Sequence, residues 1–402
     1  MSITAEILGG AVQLTGNPVW IRLSGGDQPN GTSDYKLLLK VISQDGKLNG
    51  APFIDAITPD KNGQAMFNIS GYVDKPVNAS FQYPPNGAYV SYPTQAFNVQ
   101  VQAGESYIDS DGVLQENWFS TSDTFQFLKG GSNPRQIIKW EGKSSNFYEE
   151  YLVNGRFLTP RPWAEFVIPN QPVKLWFMVV ENKSTTFNVV AYYSDGTSQQ
   201  YSTNISLNTD TLYEFNCNPV HLGISLENHA GSKINHFDIW LGPQGSEISD
   251  SRRFQFDHRY FERPLYLFYT NSMGGIDDMF FGGYTHEIVD TKTNVVYKPQ
   301  QTGDTIYDPT LVVNNKEGKN IWRLNTGFRP TDQLPDLRDL LVSRQAWLVY
   351  PNKAQTSYQF TPVIVEPGSL EIIDRKEDLT QITLDVREAH TLRFGFDNRI
   401  NY

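Results

Sequence analysis

The sequence predicts an all-β protein: tandem antiparallel β-sandwiches followed by a small C-terminal mixed domain with one short helix. Three observations predict it. Apolar residues recur with a period of two in short runs, as half-buried strands require. Aromatic residues make up 13% of the chain, alongside 31 Gly and 23 Pro, a mixture that suits pleated surfaces and turns rather than helices. Gly-containing turn dipeptides separate the runs at short spacing, which favours antiparallel neighbours over βαβ units.

In chain order the expected strands include "DYKLLLKVIS" (34–43), "QAMFNISGYV" (64–73), "AFNVQVQ" (96–102) and "TTFNVVAYY" (185–193), then "INHFDIWL" (234–241), "RRFQFDHRY" (252–260) and "TLRFGF" (391–396). Asp45-Gly46, Asn62-Gly63, Asn86-Gly87, Asp111-Gly112, Asn154-Gly155 and Asp195-Gly196 each offer the positive φ that a tight turn uses. One helix is expected near 333–344, in "TDQLPDLRDLLVSR". There Leu334, Leu337, Leu340 and Leu341 fall at helical spacing, Asp332 can cap, and Pro335 loses only an orphan N–H. The expected segments are an N-terminal sandwich (1–130), a connector (131–163), a central sandwich (164–290) and a C-terminal β-rich domain (291–402). The first boundary rests on Gly130-Gly131-Ser132-Asn133-Pro134, and Pro160 and Pro162 suggest an extended exit from the connector.

The 402 residues allow two to four domains with cores of their own. Cys217 is the single cysteine, so no intrachain disulfide forms and multi-thiolate metal motifs are excluded. A net charge of -11 with scattered Lys and Arg argues against a nucleic-acid partner. "MSITAEILGGAVQ" lacks the basic and apolar regions of a signal peptide, and the apolar run Leu175–Val180 is far shorter than the ~20 residues of a membrane helix. A soluble protein that stays where it is made is the expectation.

The stretch "YLFYTNSMGGIDDMFFGG" (266–283) could be a phosphate loop, a metal site or a hairpin tip. Asn271–Gly275 contains no Lys for a Walker loop, and an apolar run rather than a helix follows. Asp277 and Asp278 are adjacent, so on a strand they point to opposite faces and a shared ion is disfavoured. The hairpin reading is preferred, with Gly274-Gly275 as the turn. "YIDSDGVLQEN" places Gly112 fourth from Asp109, not sixth as a calcium loop would, and reads as another hairpin turn.

His221, His229, His236, His258 and His286 show no metal-ligand spacing and are expected to be structural or superficial. Glu105, Asp238 and Glu247 are available carboxylates without a catalytic motif, and Cys217 reads as a small buried hydrophobe. Trp118, Trp140, Trp163 and Trp322 could stack on sugar rings, although core or subunit contacts are the commoner use of such residues. No catalytic, cofactor-binding or metal residue is assigned, and no cofactor is expected.

The collinear order of short motifs carries a resemblance. "GNPVWIRLSG" (Gly16 to Gly25), "FNISGYV" (Phe67 to Val73), "VQAGESYIDSDG", "FLTPRP" (Phe157 to Pro162), "LWFMVV" and "YSDGT" come first. "LYLFYTNSMGGIDDMFFGG", "NTGF" (Asn325 to Phe328), "LRDLLVSRQAWLV" and "TPVIVEPGSLEI" complete the order. Over most of its length the chain thus resembles β-rich proteins encoded by bacteriophages and prophages of Bacteroidota, among tail and virion structural genes. The resemblance implies immunoglobulin-like or fibronectin-like modules in a tail, baseplate or appendage component assembled in the bacterial host cytoplasm. The expected function is therefore structural and non-enzymatic, with copies of itself and other virion proteins as partners. The alternatives are a receptor- or glycan-binding tail-tip protein and a β-sandwich polysaccharide hydrolase, which needs a carboxylate pair roughly 5–10 Å apart in a cleft.

Overall fold

The computed structural model of the chain describes residues 3–25, 28, 32–43, 52–74, 88–92, 96–132, 146–169, 171–218, 220–228, 230–262, 264–299, 301–303, 305, 309–330, 337–351, 358–366, 379–390 and 392–394. Asp45-Gly46, Asn86-Gly87, Trp140, His229, Asp332, Leu334 and Pro335 lie outside the described residues. The chain divides into two compact units, Met1–His258 with Thr270–Asp277, and Arg259–Tyr269 with Asp278–Tyr402.

The first unit contains two antiparallel sandwiches, each of three strands against five. In the N-terminal one, Thr4–Leu8, Trp20–Ser24 and Gln64–Asn68 form the smaller sheet. The larger runs Val12–Leu14, Leu114–Leu128, Phe97–Ile108, Ser33–Ser43, Phe53–Ile57. Alternation sets the core: Ile21, Leu23 and Phe67 from one sheet meet Leu37, Leu39, Val99, Val101 and Phe127 from the other. Each such side chain contributes about 1.5–3 kcal/mol when fully buried.

In the second sandwich the larger sheet runs Ala164–Val167, Arg252–Phe256, Ile234–Leu241, Lys183–Tyr193, Ser198–Leu207. Lys174–Val179, Thr211–Asn216 and Tyr89–Tyr92 form the smaller. Its core is aromatic, with Phe187, Phe215, Phe237, Phe254 and Phe256 fully or nearly buried. Lys174–Val179 and Thr211–Asn216 are buried along their whole length, so both faces are covered and "LWFMVV" reads as a continuous apolar run rather than an alternating one.

The second unit is built on one eight-stranded sheet. Its order is Ile276–Phe281, Leu265–Thr270, Ala346–Pro351, Tyr358–Val365, Thr383–Glu388, Leu311–Asn325, His286–Tyr297, with Leu392–Phe394 also paired to Leu311–Asn325. The helix Leu337–Val342 supplies Leu340 to a core with Leu267, Tyr269, Leu324, Leu348 and Val386.

Several expectations are revised. The run through 73 is not all strand: strand pairing stops at Asn68 and Ser70–Val73 is a helical turn. Asn68 Oδ1 accepts the Ser70 amide at 3.0 Å and its hydroxyl at 2.6 Å, so a side chain offers the backbone a bend in place of a ladder bond. Tyr89–Tyr92, from the first segment, pairs with Thr211–Asn216 of the central one. Leu265–Thr270 and Ile276–Phe281 lie in the eight-stranded sheet with the C-terminal strands.

Two strand pairs are parallel, Val12–Leu14 with Gln126–Leu128 and Ala164–Val167 with Arg253–Phe256, both at a sheet end. Within the connector, Tyr148–Val153 is a π-helix, and Gly155 follows its end at φ 65°, so Asn154-Gly155 closes a helical turn rather than a hairpin.

Candidate functional site: a buried ion network and an exposed ribbon

Asn271 builds the tip of the hairpin Leu265–Phe281. Its amide donates to the Gly275 carbonyl at 3.0 Å, and its Oδ1 accepts the amides of Met273 (2.9 Å) and Gly275 (3.0 Å). Its Nδ2 donates to the Leu158 carbonyl at 2.8 Å. Met273 is fully buried and Gly274 sits at φ 91°, where glycine is strongly favoured. The turn is therefore the hairpin expected from Gly274-Gly275.

Gly130 and Gly131 press against this tip. The Gly131 amide donates to the Ser272 carbonyl at 2.9 Å, and a Cβ on Gly130 would stand 2.6 Å from that same oxygen. Gly16 donates to the Gly130 carbonyl at 2.6 Å, and the Ser132 amide donates to Asn17 Oδ1 at 2.7 Å. These glycines, which follow the last strand of the N-terminal sandwich, serve close backbone approach.

Beside the tip lies a chain of buried charges. Arg161 Nη1 is 3.1 Å from Glu165 Oε2, and Arg161 Nε is 3.2 Å from Asp277 Oδ1; all three side chains are less than a tenth exposed. The Thr159 hydroxyl donates to Asp277 Oδ2 at 3.0 Å and accepts the Arg161 amide at 3.2 Å. The Arg161 carbonyl accepts from Arg252 Nη1 at 2.9 Å, and Arg252 Nε pairs with Asp250 at 2.9 Å. Asp250 Oδ1 in turn accepts the Phe157 amide at 2.8 Å. Burial raises the Asp250 pKa against the opposing pull of Arg252, the Phe157 amide and Arg156. In the neighbouring sheet Lys174 pairs with Glu214, which also accepts from the Tyr92 hydroxyl at 3.0 Å; burial raises the Glu214 pKa despite both partners.

This network fixes backbone. Buried ion pairs seldom add much net stability, but removing one partner leaves an uncompensated charge. Phe157–Pro162, the "FLTPRP" segment, is held at Phe157, Leu158, Thr159, Arg161 and Pro162 by the bonds above, with Arg252 Nη1 reaching the Pro162 carbonyl at 3.5 Å. Arg161 lies between two carboxylates that are closed to solvent, so the arrangement positions chain. Among the described residues no group of three or more His, Cys, Asp or Glu is placed to hold a metal ion.

The opposite environment occurs at the end of the second unit's sheet. His286–Tyr297 and Leu311–Asn325 form a long ribbon that, among the described residues, is only two strands wide at its far end, since Lys316–Gly318 and Ile321–Asn325 also pair with Leu392–Phe394 and Thr383–Arg387. All twelve residues of His286–Tyr297 are exposed. Cross-strand pairs share a face. The middle is charged and self-compensated, with Asp290 opposite Lys319 and Lys292 opposite Glu317. After a register shift at Asn294/Val295, Val295, Val296 and Tyr297 oppose Val313, Val312 and Leu311. That end is apolar on both faces, and its six side chains are between 41% and 65% exposed. Among the described residues no strand pairs with the outer edge of His286–Tyr297.

The remaining candidates fall into place as follows. Asp109–Val113 is the expected turn between Phe97–Ile108 and Leu114–Leu128, closed by Asp109 Oδ1 accepting the amides of Asp111 and Val113. His236 stacks on Tyr192 with ring centroids 4.7 Å apart, and His258 Nε2 meets the Ile234 carbonyl at 2.6 Å. Burial lowers the His221 pKa. His286 packs edge-on to Tyr284 in an exposed strand.

Cys217 is fully buried. Glu105 accepts from Tyr35 at 3.1 Å, Glu247 accepts from the Gly245 amide at 2.7 Å, and Asp238 takes both arms of Arg253 at 2.7 Å. Trp118 lies under Lys40, Trp322 stacks on Tyr350, and Trp163 is 54% exposed with Arg253 4.9 Å from its ring centre. Sequence reasoning did not find the Arg161 network, whose partners are 116 residues apart, or the ribbon.

No protein family matches the chain, and no curated protein matches it. Among solved structures, a marsupial T cell receptor is similar over 80% of this chain and 96% of that one, at 9% identity and a TM-score of 0.18. The assignment to antiparallel β-sandwiches rests on the strand pairing itself.

Proposed function

We propose that this chain is a structural component of a bacteriophage virion, in the tail, and that it acts by protein–protein assembly rather than catalysis. The observation that supports assembly is the ribbon. At its far end, where among the described residues only two strands pair, it is marginal in water on its own, and it presents Val295, Val296, Tyr297, Leu311, Val312 and Val313 to solvent. A long uncovered edge ending in apolar residues is an aggregation hazard unless another polypeptide covers it. The resemblance to tail and virion proteins supplies the placement. Mass spectrometry and immunogold electron microscopy of purified particles test it: the chain is expected in stoichiometric amounts on the tail, and its absence from particles ends this reading.

A second reading, a glycan-binding tail-tip protein, is favoured by Trp163. Its ring is stacked on one side by Arg253, itself held by Asp238, and more than half of the residue remains open. An aromatic platform beside fixed polar groups suits a sugar ring. A glycan array that gives the same signal for the native chain and Trp163→Ala removes it.

A further inference from the structure

Among the described residues the strand His286–Tyr297 is the last of its sheet, exposed at every residue, with the backbone groups of alternate residues facing outward. We propose that two copies of this chain pair antiparallel along this edge about a two-fold axis through Thr291, joining their two sheets into one. This inference rests on the assembly reading above and specifies its first contact.

The argument is charge complementarity. In an antiparallel pair directly opposite residues share a face, and opposite charges there attract while like charges repel. A two-fold axis at Thr291 sets Asp290 against the partner's Lys292, and Lys292 against the partner's Asp290. Within each copy Asp290 already faces Lys319, and Lys292 faces Glu317. The resulting row across four strands is Lys319, Asp290, the partner's Lys292, the partner's Glu317, alternating in sign throughout. Moving the axis by one residue destroys this pattern. At Asp290 it opposes carboxylate to carboxylate, and at Lys292 ammonium to ammonium. The same pairing sets Val289 opposite the partner's Thr293, two residue types suited to strands.

On the edge strand itself Ile288, Val289, Val295, Val296 and Tyr297 are each 40% exposed or more, so the partner strand would lie beside open side chains. A two-fold contact of this kind is isologous and closes at two copies, so it covers the edge without propagating a fibre.

The test is sedimentation velocity on the full chain. The native chain is expected to form a dimer at micromolar concentrations. Asp290→Lys alone opposes two pairs of ammonium groups and Lys292→Asp alone two pairs of carboxylates, so each is expected to weaken the dimer by roughly tenfold or more. An equimolar mixture of the two variants makes every cross-copy pair attractive again and is expected to restore it. A native chain that stays monomeric, a dimer that neither variant weakens, or a mixture no heavier than its components overturns the inference.

A second variant does not depend on charge. Thr291→Cys faces its own counterpart across the axis at a separation a disulfide can span, so mild oxidation is expected to give a covalent dimer. Val289→Cys, opposite Thr293, is expected to give little, and the buried Cys217 does not compete. Equal crosslinking at both positions also overturns the register. Absence of the chain from purified particles would remove the virion reading and leave this pairing intact, whereas a monomer found within particles would do the reverse.

Discussion

Two hairpins of this chain, close in sequence, occupy opposite environments. In Leu265–Phe281 the strands are buried almost throughout, and even Asn271, Ser272, Asp277 and Asp278 are less than a tenth exposed. In the ribbon His286–Tyr297 with Leu311–Asn325, the first strand is exposed at every position. Aromatic and β-branched content alone does not separate them. What differs is whether the polar groups find partners inside the fold: Asp277 has Arg161 and Thr159, whereas Asp290 and Lys292 have only the other strand of their ribbon. The first hairpin is internal, and the outer strand of the second is open along its whole length.

Substitutions can break or sharpen that contrast. The largest effect is expected at Asp277→Ala, which removes one of the carboxylates paired with Arg161 and the acceptor of the Thr159 hydroxyl. Removing one member of a buried ion cluster costs about 3–5 kcal/mol, and urea unfolding of the full chain should show it. A loss below about 1 kcal/mol would mean the network holds nothing.

Gly130→Ala comes next. Its methyl would stand 2.6 Å from the Ser272 carbonyl and 2.8 Å from the Gly274 amide. Overpacking of this kind costs about 1–3 kcal/mol, visible as a lower denaturation midpoint. An unchanged midpoint would show that the tip is not tightly seated.

An intermediate case is the hairpin Lys183–Leu207, buried on part of its length, whose turn is set by Asp195. Hydrogen bonds from the Thr197 hydroxyl and amide and from Asn228 hold the Asp195 pKa down to about 2. Because the folded value lies below the unfolded one, the stabilisation is present above pH ~4 and is lost as pH falls toward ~2. Asp195→Asn should therefore flatten this part of the acid-unfolding curve, being less stable than the native chain at neutral pH and converging with it as pH falls toward ~2. An unchanged slope of stability against pH between about 4 and 2 would refute the assignment.

The smallest effect on folding is expected in the ribbon. Val296→Ser should change stability by no more than about 0.5 kcal/mol, because the side chain has little packing to lose. Incorporation of the chain into particles should nevertheless fall. A large thermal shift would show that the ribbon is packed within the monomer.

Much of the fold was legible in the sequence because it depends on local pattern. Gln64–Asn68 and Phe97–Ile108 alternate in burial as they alternate in polarity, and Gly63, Gly112 and Gly196 adopt the positive φ read from their dipeptides. The tip of Leu265–Phe281 was legible for the same reason. Its burial was not, since nothing near Asp277 announces Arg161. Gly130-Gly131 follow the last strand of the N-terminal sandwich, but their close approach to the hairpin tip was not legible, because a linker and such an approach call for the same residue. The ribbon was divided at 290 because "HEIVDTKTNVVY" mixes charged and apolar residues without a buried face, leaving no clean period to follow. The part in assembly proposed for it depends on a second molecule, which lies beyond any single sequence.

The place of Thr270–Asp277 in the first unit has a consequence during synthesis. Arg161 leaves the ribosome more than a hundred residues before Asp277, so for that interval its guanidinium lacks the Asp277 carboxylate and the Leu158 carbonyl lacks the Asn271 side chain. The N-terminal part of the molecule is then a vectorially incomplete intermediate, closed only when a segment from much later in translation threads home. Late-forming contacts of such wide sequence separation slow the final step of folding. A nascent chain stalled just before the hairpin should accordingly be cut by protease around Phe157–Pro162, and one released after it should be protected there.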